Sequence, residues 1–295
     1  MKHTALPEKK FPLDGNWHWL LIALGAFLLI LSGILWFNGR QTSTTAETTT
    51  TTTETAAAAV SDTPTNDFVS LALTRARSGD TDGALEALGI AIATDPAGAA
   101  EAYYYRGLIF AETGDLEKAL ADFEDGIAAD QHMPELYAAR ATTYVSSGRP
   151  ATALDDFNKA IQLSPDHIPT YINRGQAYLN MGEPELAMED FNFAIEHDPS
   201  LIAAYFNRGV LFIEMGQPED ALADFNQAIE LSPDTAAPYF NRAVAYMELN
   251  ELELAATDLV FYMELADPDD DYGRHQAEAL LESLKDYQES DYIGD

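Results

Sequence analysis

The 295-residue sequence contains no cysteine. That excludes disulfide frameworks, cysteine zinc sites, a cysteine nucleophile and lipid attachment through sulfur, and it leaves the redox compartment open. Basic residues are scarce: 16 Lys and Arg stand against 49 Asp and Glu, for a formal net charge of −33. A nucleic-acid interface needs a stripe of cations that displaces counterions from phosphate, and this composition excludes one. Catalytic signatures are missing as well. His3, His18, His132, His167, His197 and His275 form no H-E-x-x-H, and the glycines form neither a phosphate-cradling loop nor a G-x-S-x-G elbow. Neither an enzymatic activity nor a cofactor is expected. Hydrophobic residues still make up 47%, enough for a sizeable packed core.

Long uncharged apolar runs are confined to one place. Residues 17–37, WHWLLIALGAFLLILSGILWF, contain no Asp, Glu, Lys or Arg. As a helix they span about 31 Å, the thickness of a bilayer core. Trp17, Trp19, Trp36 and Phe37 stand at the ends, where an aromatic belt belongs. Lys2, Lys9 and Lys10 precede the run and Arg40 comes after it. The positive-inside rule then predicts a cytoplasmic tail over 1–16, a transmembrane helix over 17–37 and all later residues on the far side, and the lack of cysteine in such an exported chain, with its short and simple architecture, leans toward a bacterial cell membrane. A cleaved signal peptide is the rival. The run exceeds the usual 7–15 apolar residues of such a signal, and no A-x-A site lies directly after it, although Ala56–Ala59 is a late candidate. Residues 38–64 include ten threonines between Thr42 and Thr55 and nothing that packs; they read as a flexible tether, with glycosylation of the threonines left open. Four acids and four bases precede residue 56 and cancel, so the whole net charge belongs to residues 56–295.

The remainder repeats with a step of 34. Tyr103, Tyr137, Tyr171, Tyr205 and Tyr239 keep the step. So do Gly107, Ala141, Gly175, Gly209 and Ala243; Ala119, Ala153, Ala187, Ala221 and Ala255; and Phe123, Phe157, Phe191 and Phe225, closed by Leu259. Pro165, Pro199 and Pro233 end three units. Each unit reads as two helices. In the fourth, Pro169–Asn180 is the first helix, Met181-Gly182-Glu183-Pro184 the turn and Glu185–His197 the second helix. Gly175 and Ala187 are expected where the paired helices approach closest, with Phe191 filling the gap toward the next unit. One such pair cannot bury its apolar face alone, so neighbours must stack.

These columns resemble the tetratricopeptide repeat (TPR) family. Tyr205-Phe206-Asn207-Arg208-Gly209, Ala221, Phe225, Ala228 and Pro233 match its pattern throughout. The resemblance implies an all-α superhelical solenoid over 65–271, of six units when a weaker one near 65–99 is included. The terminal units depart from the pattern: Arg75 and Leu88 replace the aromatics of the first, and Asn250 and Tyr262 replace small residues in the last. Ala277, Leu280, Leu281, Leu284 and Tyr287 form one stripe over 272–288, which reads as the cap helix that commonly closes such arrays, within a terminal segment 272–295.

The resemblance also implies a protein-binding concave surface lined by first helices. Asn173, Asn207 and Asn241 fall where family members use solvent-facing asparagines to hold a peptide backbone, and Tyr105 takes that position in an earlier unit. An amide offers donors and an acceptor that match any peptide group. Arg106, Arg140, Arg174, Arg208 and Arg242 repeat at the same step, as do Asp122, Asp156, Asp190, Asp224 and Asp258. They read as structural ion pairs; arginines that bind a carboxylate ligand are the alternative. Asp267, Asp269, Asp271 and Glu278 mimic calcium-loop spacing, but Tyr272 replaces the required glycine, so no metal is expected. The function implied is a membrane-tethered, non-enzymatic scaffold for a protein or peptide, with an acidic field that favours basic partners. A self-associating organiser and a regulatory subunit of a separate enzyme are the alternatives.

Overall fold

The structure, a computed structural model, describes residues 64–292, with side chains from Thr65 to Tyr287. The expected tail over 1–16, transmembrane helix over 17–37 and most of the tether lie outside these residues. Among the described residues no helix is long and apolar enough to cross a membrane. They form thirteen α-helices and no strand.

The chain divides into two compact units at Gly182/Glu183. The first holds α1 (Pro64–Arg77), α2 (Thr81–Thr94), α3 (Ala100–Glu112), α4 (Leu116–Ala129), α5 (Pro134–Ser146), α6 (Pro150–Leu163) and α7 (Ile168–Asn180). In it α1/α2, α3/α4 and α5/α6 are antiparallel pairs, each stacked on the next. The second holds α8 (Pro184–His197), α9 (Ile202–Glu214), α10 (Pro218–Leu231), α11 (Ala236–Glu248), α12 (Leu252–Leu265) and α13 (Asp271–Tyr292). Here α9/α10 and α11/α12 are the pairs, α8 packs on α9 and α13 on α12.

Local chemistry sets these limits. Proline opens α5, α6, α8 and α10 within their first two positions, where its missing N–H costs nothing. First helices end on a left-handed residue, as at Gly216 (φ 69°). There the Gly216 N–H donates to the Ile213 carbonyl and the Gln217 N–H to the Phe212 carbonyl, which satisfies the last carbonyls of α9. Asn250 takes the same conformation (φ 61°) without being glycine, and Asn is the side chain that tolerates it best. The Glu251 N–H completes the same bond to the Tyr246 carbonyl.

The small residues in the first helices answer to rings in their own pair. A Cβ on Gly209 would lie 2.6 Å from Cε1 of Phe225, and one on Gly107 2.5 Å from Cε1 of Phe123. The ring column therefore fills its own helix pair at these positions, which corrects the expectation that it reaches toward the next unit. The glycine lets the first helix settle against the ring, and stacking contacts come from elsewhere, as where Gly126 lies against Leu136 of the next pair.

The last pair ends differently. Tyr262 stands where other pairs carry alanine or glycine, and its hydroxyl donates to Oδ2 of Asp270 (2.9 Å). Asp270 also accepts from the Gly273 N–H at Oδ1 (3.0 Å) and so caps α13. Arg274 donates to the Met263 carbonyl (2.8 Å). Of the acids in the calcium-like spacing, Asp267 accepts from the Asp269 N–H (2.9 Å). Ala277, Leu280 and Leu284 of α13 are buried.

Candidate partner face and repeated ion pairs

Four of the repeated arginines grip their aspartates with two parallel hydrogen bonds. Nε and Nη2 of Arg106 reach Asp122 at 2.8 and 2.7 Å, and those of Arg140 reach Asp156 at 2.7 and 2.8 Å. Arg208 reaches Asp224 at 2.8 and 2.7 Å, and Arg242 reaches Asp258 at 2.7 and 2.7 Å. The arginine comes from a first helix and the aspartate from its paired second helix, sixteen residues on. The aspartates are buried and the arginines half-buried. Hydrogen bonds to Asp224 and Asp258 hold Arg208 and Arg242 above the ordinary arginine pKa, with burial opposing. Arg174 and Asp190 fall in different units; Asp190 is buried.

A third donor crosses between pairs. Nη1 of Arg208 donates to Oδ1 of Asn192 (2.6 Å), that of Arg242 to Asn226 (2.6 Å) and that of Arg174 to Asn158 (2.7 Å). Each asparagine belongs to the preceding second helix, so the guanidinium ties a pair to its predecessor. The sequence holds this signal in Asp156-Phe157-Asn158, Asp190-Phe191-Asn192 and Asp224-Phe225-Asn226, a column that the 34-residue register contains but that reading for known motifs passes over. The guanidinium faces are occupied as well. Arg242 lies 5.6 Å from the Tyr239 ring and 5.8 Å from Tyr246, and Arg208 similarly between Tyr205 and Phe212. With the Nε/Nη2 edge and Nη1 engaged and rings beside both faces, Arg208 and Arg242 have few donors open to a carboxylate ligand.

The asparagines of the expected ladder stand differently from that expectation. Asn173 is half-buried and donates to Oγ1 of Thr142 (3.3 Å). Asn207 is 2% exposed and Asn241 0%, so neither faces solvent. Nδ2 of Asn241 turns back onto its own helix and donates to the Ala237 carbonyl (3.0 Å). Oδ1 of both residues is buried without a hydrogen-bond partner. Tyr105 is half-buried, its ring packed edge-on against Tyr104 at 5.1 Å.

These asparagines share a side of α9 and α11. At about 100° per residue, Asn207 and Val210 lie across the helix from Tyr205 and Phe212, which attend the ion pair. Asn241 and Val244 hold the same register on α11. The face they define is therefore the side of the first helices away from the second-helix layer.

Tetratricopeptide repeat family models match residues 69–134, 134–167, 168–201 and 202–235, together more than half of the chain. No curated protein matches in sequence. Among solved structures, PilW, described as a widely conserved type IV pilus biogenesis factor, is 18% identical over 75% of this chain and 97% of its own, with a TM-score of 0.65. A tetratricopeptide repeat protein of Thermus thermophilus, TTC0263, is 22% identical over 62% of this chain and 98% of its own (TM-score 0.56). One from Parabacteroides merdae is 19% identical over 75% and 99% (TM-score 0.54).

Proposed function

This chain belongs to the tetratricopeptide repeat family, whose members are protein–protein interaction scaffolds, and from that premise we propose that it is a membrane-tethered, non-enzymatic adaptor that holds a partner polypeptide on the first helices of its repeats. The observation that supports this reading is the uninterrupted run of tetratricopeptide units matched over residues 69–235, a repeat in which second helices build the stack and first helices are left to a partner. The arginine column supports the same division of labour, because it is consumed in joining helices.

Residues 17–37 anchor the chain, with 1–16 in the cytoplasm and the repeats on the other side of the membrane. The net charge of −33 attracts basic partners over long range. The test uses the full chain in lipid nanodiscs as bait, beside an Asn173→Ala, Asn207→Ala, Asn241→Ala variant with an unchanged helical circular dichroism spectrum. A partner captured by the first and lost by the second is the expected result; equal capture moves the site off the first helices. A reporter active only in the cytoplasm, fused after Asp295, is expected to stay silent, and its activity would overturn the orientation.

A further inference from the structure

The last second helix, α12, keeps an apolar face in water. Leu254 is 47% exposed, Val260 47% and Phe261 45%. One repeat earlier α10 carries Asp220, Asn226 and Gln227 at these three positions. The asparagine there has a partner, because Asn226 accepts from Arg242 of the next first helix. The helix that follows α12 brings Arg274, which donates instead to the Met263 and Ala266 carbonyls (2.8 and 3.4 Å). The end of a stacked array faces solvent and calls for polar residues. Three polar positions turn apolar together, which is the opposite change. Helix α13 buries Ala277, Leu280 and Leu284 and leaves these three open.

The face is laid out for a helix. At about 100° per residue Val260, Glu253, Glu264, Thr257, Phe261 and Leu254 follow one another across an arc of about 120°. Val260 forms one edge, Phe261 and Leu254 the other, and the exposed Glu253 and Glu264 lie between them. The Phe261 ring is backed by Tyr239, with centroids 5.5 Å apart, so it is held in place before anything binds. At 1.5 Å per residue Leu254 and Phe261 stand about 10.5 Å apart along the axis and the two glutamates about 16.5 Å. These are two and three helical turns. A helix lying alongside presents the same side at those intervals. An extended strand returns to one side about every 6.7 Å and falls out of step with both.

Charge selects the occupant. Residues 183–292 hold 26 Asp and Glu against four Lys and Arg. A second copy of this face, or an anionic membrane surface, would meet it with charge of the same sign. A cationic partner is drawn in and finds Glu253 and Glu264 at the contact. We propose that the exposed face of α12 docks a cationic amphipathic helix of a partner protein. Apolar side chains of that helix cover Leu254, Val260 and Phe261, and lysines or arginines about three turns apart meet the two glutamates. The surface lies on a second helix, so it goes beyond the first-helix reading above and gives the adaptor another point of attachment.

The probe is a fluorescein-labelled peptide of two leucine–lysine heptads, with its lysines on one face and a pair of them eleven residues apart. Anisotropy reads its binding to the full chain in phosphatidylcholine nanodiscs, with empty discs of this zwitterionic lipid as the blank. The Leu254→Asp, Val260→Asn, Phe261→Gln variant puts the α10 residues on α12 and is expected to weaken binding about tenfold or more. Glu253→Gln, Glu264→Gln is expected to weaken it about fivefold. Equal affinity for the parent and the triple variant would show that the peptide follows net charge alone, and it overturns the proposal. A peptide with glutamate for lysine that binds the parent equally well does the same.

Two readouts stand even where Phe261→Gln disturbs the helix pair through Tyr239. Leu254→Asp, Val260→Asn keeps the ring contact and, with an unchanged circular dichroism spectrum, is expected to weaken binding about fivefold by itself. A photo-leucine in the peptide is expected to cross-link within 252–265, and cross-links confined to other residues overturn the assignment. Mass photometry tests the other occupant: a dimer of the parent chain that the triple variant abolishes overturns the proposal in favour of a second copy. Capture that depends on Asn173, Asn207 and Asn241 is independent of these results, so the adaptor reading stands or falls by its own test.

Discussion

Asp224 is 5% exposed, and both its oxygens accept from Arg208. Removing the carboxylate leaves a half-buried guanidinium without its counter-charge. Asp224→Ala is expected to cost about 2–4 kcal/mol, whereas Arg208→Met with Asp224→Leu, which removes both charges, costs less. Urea unfolding followed by circular dichroism measures both; an Asp224→Ala chain as stable as the parent would overturn the structural role of the pair. His167 tests a second residue-scale effect. Burial lowers its pKa below the ordinary histidine value, with Glu135 opposing, and Nδ1 lies 2.7 Å from Oγ1 of Thr170. The unfolded chain therefore takes up this proton first as pH falls below about 6.5, and stability is lost from there downward until the folded imidazole protonates too. Between about pH 7.5 and 5.5 the parent chain is expected to lose more unfolding free energy than His167→Gln. Parallel profiles would show that His167 does not contribute.

At the scale of the element, the docking of α13 depends on one close approach. A Cβ on Gly273 would collide with the Tyr262 hydroxyl and with Asp270. Gly273→Ala is therefore expected to destabilise the last helix by about 1–3 kcal/mol. In a Tyr262→Phe background part of that clash disappears, so the two substitutions are expected to be non-additive, with the glycine replacement costing less. Amide hydrogen exchange across 271–287 reads the effect. Additive costs would mean that ring and glycine do not meet. The tyrosine that breaks the alanine column is thus fitted to its successor: the hydroxyl needs room that only glycine gives and a carboxylate that also caps the helix.

For the whole molecule, charge is the dominant long-range term. A net charge of −33 on 295 residues repels itself, and this opposes compaction. Raising salt from about 10 mM to about 150 mM shortens the screening length from about 30 to 8 Å. The thermal midpoint of the full chain in nanodiscs is expected to rise over that range, because self-repulsion is screened more than the close, partly buried Arg–Asp pairs. A midpoint that falls would mean that exposed ion pairs outweigh repulsion. Repetition acts at this scale as well. Every arginine that reaches the preceding second helix couples neighbouring pairs, so each pair needs a neighbour for its own polar groups as well as for its apolar face.

The sequence by itself determined the class of fold, the repeat length, the helix pairs and their turns. Those come from local rules: a proline where an N–H is spare, a glycine where φ is positive, a ring every 34 residues. It also determined that arginine and aspartate columns exist as candidate ion pairs, while whether they join the helices of one pair or of adjacent pairs was left to the tertiary structure. Only the tertiary structure decided where those columns point. The partnership of Arg208 and Arg242 with Asn192 and Asn226 joins helices of different pairs, and no local pattern encodes it. The ring of Phe225 turned toward its own glycine because the backbone there approaches closely, which a one-dimensional register does not contain. The asparagines were legible as a column; their burial was not, because burial depends on what surrounds a helix on every side, and a sequence specifies only the helix's own faces.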